Sequence, residues 1–235
     1  MTAPWNDARV QRGMEKLFRL RAERIAAGDR PIGWKVAFGG RAIQEKLGIE
    51  APLVGFLTRA GAVESGGTVS LAGWTKPVAE AEIAAHLGRD LPGGAERATT
   101  KAAIAKLGPA IEIIDSERPP EDVEWVLSGN ISHRHVVLGP AAAANAEDLR
   151  GRVFRRGEEV ARADNVQALP GDVVTLVGYV ADYLAAFGET LRANDVVICS
   201  AIVTPMPVEP DEEAFRYALD PVGEVSVRFS RQGRP

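Results

Sequence analysis

Apolar residues recur at helical spacing near the start of the chain. Val10, Met14, Leu17 and Leu20 share one face of a segment that Asn6-Asp7 is suited to cap. The pattern predicts a helix to about Ala27, stopped by Gly28-Asp29-Arg30-Pro31. Ile32 to Phe38 reads as a short strand interrupted by one charge, Lys35, and Arg41 to Leu47 as a short helix ended by Gly48. Between 50 and 75, Gly and Pro punctuate short apolar runs, which predicts β structure and turns. A helix from about Ala98 to Leu107 precedes an isoleucine-rich strand, Ala110 to Asp115. Pro119-Pro120 opens a loop or short acidic helix to Leu127, and Val136 to Leu138 is another strand. Phe154 to Val160 reads as a hairpin turning at Arg156-Gly157. Asp172 caps a helix to Phe187, ended by Gly188. Val196 to Cys199 reads as a buried strand, and Val225 to Phe229 alternates as a last one. With no repeat, low-complexity tract or linker, one domain over 1–235 is expected, a helical lead over 1–30 preceding a core from about 31.

The segment from Lys76 to Gly88 gives two conflicting signals. Its composition, with Pro near the start and Gly at the end, favours a helix. Its alternation, Glu80 and Glu82 against Ala81 and Ile83, is that of a strand. Local propensity alone selects the helix.

Composition excludes several function classes. A net charge of −4 lacks the basic surplus that binding to a phosphate backbone requires, so nucleic acid is not an expected partner. The single cysteine, Cys199, provides neither a disulfide framework nor a thiolate metal cluster. The first residues have no basic region followed by an apolar run, and no stretch reaches the roughly 18 to 20 apolar residues of a membrane span. A cytoplasmic enzyme is the expectation.

Three glutamates stand out chemically: Glu80, Glu82 and Glu112. On a strand, residues two apart point the same way and lie roughly 6.5 to 7 Å apart, so two carboxylates converge on one cation. On a helix the pair is turned by about 200° and shared coordination fails, leaving an ordinary solvated face. Glu112 interrupts the apolar run Ile111 to Ile114, where an unpaired buried carboxylate is costly; the wet face of an edge strand is the alternative. Three hard oxygen donors suit Mg²⁺ or Mn²⁺. Lys35 is either a proton donor beside such a metal or a lysine that snorkels to solvent. His133 and His135 fall on one strand face as a possible zinc pair, but no third partner stands at a telling spacing, so they read as surface or substrate-side residues. Ser128-Gly129-Asn130 suits a turn or a hydrogen bond to a substrate carboxylate. No nucleophile elbow, Walker loop or dinucleotide fingerprint is present.

Taken in order, these segments resemble the fumarylacetoacetate hydrolase superfamily, in its 2-keto-4-pentenoate hydratase branch. The resemblance is carried by Gly33-Trp-Lys-Val-Ala-Phe38, by Gln44-Glu-Lys-Leu-Gly-Ile49 followed by Ala51-Pro-Leu-Val-Gly55, and by Pro77-Val-Ala-Glu-Ala-Glu-Ile83 followed by Leu87-Gly-Arg-Asp-Leu91. Ala110-Ile-Glu-Ile-Ile-Asp-Ser116, Asn130 and Asn194-Asp-Val-Val-Ile198 continue it. It implies an α+β fold with a mixed β-roll core and flanking helices, in which Glu80 and Glu82 lie on a strand. It also implies one Mg²⁺ or Mn²⁺ held by Glu80, Glu82 and Glu112, catalysis through Lys35, substrate binding near Asn130 and Ser200, and a homo-oligomer. The implied reaction, in the catabolism of aromatic compounds, hydrates a 2-hydroxy-2,4-dienoate to a 4-hydroxy-2-oxo acid, the substrate being a small 2-oxo acid. A 2-oxo-3-enedioate decarboxylase, an acylpyruvate hydrolase and a non-catalytic metabolite-binding or partner subunit are the alternatives. The chain departs from the family pattern at Thr58-Arg59, where acidic residues are usual, at Val78 for arginine, at Gly129 for aspartate, and at Cys199-Ser200 for threonine-glycine.

Overall fold

Asp7 opens the first helix, α1 (Ala8–Ala26), by accepting the Arg9 backbone N–H at 2.8 Å. In this computed structural model, which describes residues 3–117 and 122–231, α1 buries Val10, Gly13, Met14 and Leu17. The elements that follow are β1 (Pro31–Ala37), α2 (Arg41–Leu47), β2 (Leu53–Thr58), β3 (Ala62–Val63), β4 (Thr68–Ser70) and β5 (Pro77–Leu87). Next come α3 (Arg97–Ala103), β6 (Ile104–Asp115), α4 (Val123–Ser128), β7 (His133–Leu138), β8 (Arg150–Arg155) and β9 (Glu158–Ala163). The chain ends with α5 (Val173–Ala186), β10 (Val196–Ala201), β11 (Met206–Pro207), β12 (Ala214–Asp220) and β13 (Gly223–Ser230). The expected loop or helix opening at Pro119-Pro120 begins outside the described residues; its later part is α4, capped by Asp122.

Two sheets form the molecule. The larger runs β2-β1-β10-β5-β6-β7-β3, with β11 added on β5; the smaller runs β4-β13-β12-β8-β9. The larger sheet curls on itself. Its end strands β2 and β3 are joined through the single turn Arg59–Gly61, while β3 pairs with β7. The Asn130 side chain, just before β7, bonds both the N–H and the C=O of Phe56 on β2, each at 2.9 Å. Inside the curl, Leu57, Ala84, Ala110, Val136, Val196 and Ile198 form a small apolar cluster of their own. The main core fills the space between the sheets and the helices, with Trp34, Phe56, Phe215 and Tyr217 among its largest members. The fold is thus the mixed α+β roll that the resemblance implies.

Two expectations from local pattern fail. Lys76 to Gly88 is not a helix, because β5 is paired along its length with β6 and also with β10 and β11. The expected helix from Ala98 to Leu107 ends at Ala103, where the chain enters β6 and Ile104 pairs with Leu87. In both places the sheet outweighs helix propensity, which is worth only tenths of a kcal/mol per residue, about 0 to 0.7. Among the described residues no helix is long and apolar enough to cross a membrane.

Candidate metal centre

The register of β5 against β6 builds the site. Asp115, buried at the end of β6, accepts the backbone N–H groups of Thr75 and Lys76 and so fixes where β5 begins. From there Glu80 falls directly opposite Glu112, and Glu82, two residues on, shares its face. Like charges in a directly opposed cross-strand pair destabilise a sheet, so this register needs a compensating positive charge. Oxygen atoms of the three carboxylates lie within 4.8 Å of one another. That spread approaches the about 3 to 4 Å between oxygens around one small divalent cation.

Lys35 enters from β1 and its Nζ donates to Glu112 Oε1; the side chains are 2% and 1% exposed. His133, at the start of β7, places Nδ1 2.7 Å from the same oxygen. Glu82 is fully buried, and neither of its carboxylate oxygens has a well-formed hydrogen bond, although the Ser200 backbone N–H is turned towards it. A buried, unpartnered carboxylate facing two others is the feature that a cation relieves. The donor set fits a divalent ion.

The electrostatics carry the same signature. Burial, with Glu112 and against Lys35, pushes the Glu80 carboxyl up to about 7. Burial and the charges of Glu112 and Glu80 push Glu82 well above the carboxylate range. Burial would raise Glu112 too, but the Lys35 ammonium and the His133 hydrogen bond outweigh it and hold the carboxyl low. For the metal-free chain this has a consequence for stability. Glu80 keeps its proton to about pH 7 when folded and loses it near the ordinary 4.5 when unfolded, so its stabilisation is full below 4.5 and is lost as pH rises through about 7. Glu82, also raised, acts in the same sense, whereas Glu112, held low, acts in the opposite sense below its ordinary range. The melting temperature without metal is expected to fall between about pH 5 and pH 7.5, and saturating magnesium to flatten that fall. A metal-free profile that is level over this range refutes the cluster's electrostatics.

A cavity of about 420 Å³ opens above the cluster, with Lys35 and Glu80 in its lining. Phe38, Ile43, Val78, Ile114, Val126 and Leu169 give it apolar walls, and Ser116, Ser132 and Ser200 interrupt them with hydroxyls. Several of its residues hold left-handed backbone: Phe38 (φ 58°), Ile131 (53°), Ser132 (60°) and Ser200 (67°). Non-glycine residues in that region cost of order 1 to 3 kcal/mol each and gather at functional sites. Ser200 stands where the β10–β5 ladder slips between Ile198 and Ala201, and it lines the cavity. Asn130 is placed differently, since both ends of its amide are taken by Phe56 and it holds the roll closed beside the cavity. Of the two strand histidines, only His133 reaches the cluster. His135 stacks on Trp74, and a shift in the β6–β7 ladder separates the two. The sequence reads His133 as a surface or substrate-side residue; it is buried, and the apolar residues at Val136 and Val137 were the sole hint that its strand is covered.

The family model for the fumarylacetoacetate (FAA) hydrolase C-terminal matches residues 35–231. A 2-keto-4-pentenoate hydratase of Dechloromonas aromatica (strain RCB) is 31% identical over 214 residues, 88% of this chain and 80% of that protein. A 4-oxalocrotonate decarboxylase of Pseudomonas putida is 30% identical over 219 residues, 90% of this chain and 82% of its own length. The solved structure of 4-oxalocrotonate decarboxylase from Pseudomonas putida G7, complexed with magnesium and adipate, superimposes with a TM-score of 0.84. It is 28% identical, and the match covers 91% of this chain and 83% of that one.

Proposed function

The chain belongs to the fumarylacetoacetate hydrolase family, and from that premise we propose that it is a divalent-metal-dependent hydratase converting a 2-hydroxy-2,4-dienoate to a 4-hydroxy-2-oxo acid. The observation that carries this reading is the convergence of Glu80, Glu82 and Glu112 beneath an apolar cavity, with Lys35 inserted beside them. The three glutamates would hold the ion, Mg²⁺ or Mn²⁺. When bound, it supplies a Lewis acid for the carboxylate and 2-oxo oxygens of the substrate.

Lys35 supplies the proton chemistry. Its ammonium has three N–H donors, of which Glu112 Oε1 takes one and the Ile131 carbonyl, at 3.5 Å, weakly takes a second. The remaining donor, on a residue lining the cavity, serves the oxygen on which negative charge develops or delivers a proton to the terminal carbon. In the latter case the 2-hydroxyl proton released as the dienol becomes the unsaturated ketone returns the amine to ammonium. Water then adds across the remaining double bond, its oxygen to C4 and its proton to C3. Ser116, Ser132 and Ser200 offer hydroxyls to hold that water, and the apolar walls exclude others.

The cavity favours hydration over decarboxylation. Among its described lining residues Lys35 is the one cationic side chain, and two of its three donors are taken by Glu112 and the Ile131 carbonyl. The apolar lining residues Ile43, Val126 and Leu169 would give the second carboxylate of a 2-oxo-3-enedioate no counter-charge among the described residues, which is costly. The test is loss of dienol absorbance from 2-hydroxypenta-2,4-dienoate with Mg²⁺ or Mn²⁺, abolished by a chelator, beside carbon dioxide release from a 2-oxo-3-enedioate. No dienol turnover with either ion, or faster carbon dioxide release, rejects the hydratase. A homo-oligomer is proposed for the assembly, and sedimentation velocity checks it.

A further inference from the structure

His133 is buried, with a side chain 2% exposed, yet neither the metal nor the substrate reading uses it. Its Nδ1 lies 2.7 Å from Glu112 Oε1. A carboxylate accepts and does not donate, so Nδ1 carries the ring proton and Nε2 is left with a lone pair. Nε2 is itself buried and without a partner. The imidazole therefore has one polar attachment, and that attachment is Glu112.

Glu112 Oε1 thus receives two donors, the Nδ1–H of His133 and the Nζ of Lys35. Both approach one oxygen, and Oε2 takes no part in either bond. The backbone that delivers His133 is held in place. Asn130, Ile131 and Ser132 run in left-handed conformation immediately before it, and Asn130 is tied to Phe56 at both ends of its amide. Such a run of non-glycine residues persists only where its surroundings over-determine it.

We propose that His133 is a positioning residue for the metal centre: with Lys35 it claims Oε1 of Glu112, fixing the carboxylate plane so that Oε2 is presented to the divalent ion. The inference rests on the metal-centre reading of Glu80, Glu82 and Glu112. It adds a residue that sets how tightly the ion is held and that touches neither substrate nor ion. Partners of this kind, behind a ligating carboxylate, are worth about 10- to 100-fold in metal affinity.

The test is calorimetric titration of Mn²⁺ into the metal-free protein, for the wild type and for His133→Leu, His133→Asn and His133→Gln. Leucine fills the space without a donor. Asparagine sets an amide N–H near the position of Nδ1, and glutamine sets it near Nε2. His133→Leu and His133→Gln are expected to bind Mn²⁺ at least about 10-fold more weakly, and His133→Asn within about 3-fold of wild type. Turnover at saturating metal is expected to stay near the wild-type rate in all three, so that the apparent metal constant moves while kcat does not. Should His133→Leu fail to fold, the asparagine–glutamine contrast decides. Wild-type affinity in every variant, or equal weakening in all, overturns the proposal by reducing His133 to packing. A wild-type protein that binds no Mn²⁺ overturns the metal centre itself, which separates the two failures.

Discussion

Replacing Glu82 with glutamine is expected to remove metal-dependent turnover by about 10³-fold or more while leaving the metal-free fold intact. The size follows from the several kcal/mol that a bound cation contributes to charge stabilisation, at roughly 1.4 kcal/mol per tenfold in rate. The tolerance of the fold follows from the environment of Glu82. Burial and the charges of Glu112 and Glu80 push its carboxyl well above the usual range, which favours the neutral acid in the metal-free protein. A glutamine amide has the same shape and the same formal charge. What Glu82→Gln loses is the capacity to give up a proton when a cation arrives, and with it a ligand. Metal at 100 times its dissociation constant is expected to stabilise the wild type by about 2.7 kcal/mol and the variant by far less. Thermal melts with and without Mg²⁺, beside dienol turnover, check both parts. A variant that melts far below the wild type without metal would show that Glu82 is charged there and paired, against the burial argument.

The difference in legibility between β1 and β5 explains why most helices and isolated strands could be read from sequence and the strand carrying Glu80 and Glu82 could not. Capping residues and one-sided apolar faces are local signals, and Asp7, Gly48 and Asp172 mark their helices as expected. In β1 the single charge, Lys35, stood out against apolar neighbours. In β5 nearly every position from Ala79 to Leu87 is buried, because the roll covers both faces of the strand. The alternation that identifies a strand was reduced to two glutamates in an alanine-rich run, and composition pointed to a helix. The resemblance to a family, not the pattern, resolved it. β12 was missed because its alternating Phe215, Tyr217 and Leu219 follow directly on the acidic Glu212-Glu213, which reads as a loop. The burial of His133 was hidden for a related reason: between Ser132 and Arg134 it has the neighbours of a surface residue, and the closure that buries it depends on Asn130 and Phe56, 74 residues apart.

Lys35→Met is expected to destabilise the metal-free protein by about 3 to 5 kcal/mol, because it strands the Glu112 carboxylate in the interior beside His133 alone. The pH dependence of that group is expected to invert as well. In the wild type Glu112 is held low, so its contribution is present above the ordinary carboxylate range and is lost as pH falls through its folded value. Without the ammonium, burial dominates and raises the carboxyl; the folded variant then binds an extra proton, and its stability is lost as pH rises. A divalent cation replaces the missing positive charge, so Mg²⁺ is expected to stabilise Lys35→Met more than it stabilises the wild type. Turnover is not restored with the fold. The ion neutralises Glu112 but supplies no proton, and loss of a positioned proton donor costs about 10²- to 10⁴-fold in rate. Melting curves across pH with and without Mg²⁺ read the first effects, and dienol consumption at saturating metal reads the last. Near wild-type turnover in the Mg²⁺-stabilised variant would remove Lys35 from the chemistry and leave it as a counter-ion to Glu112.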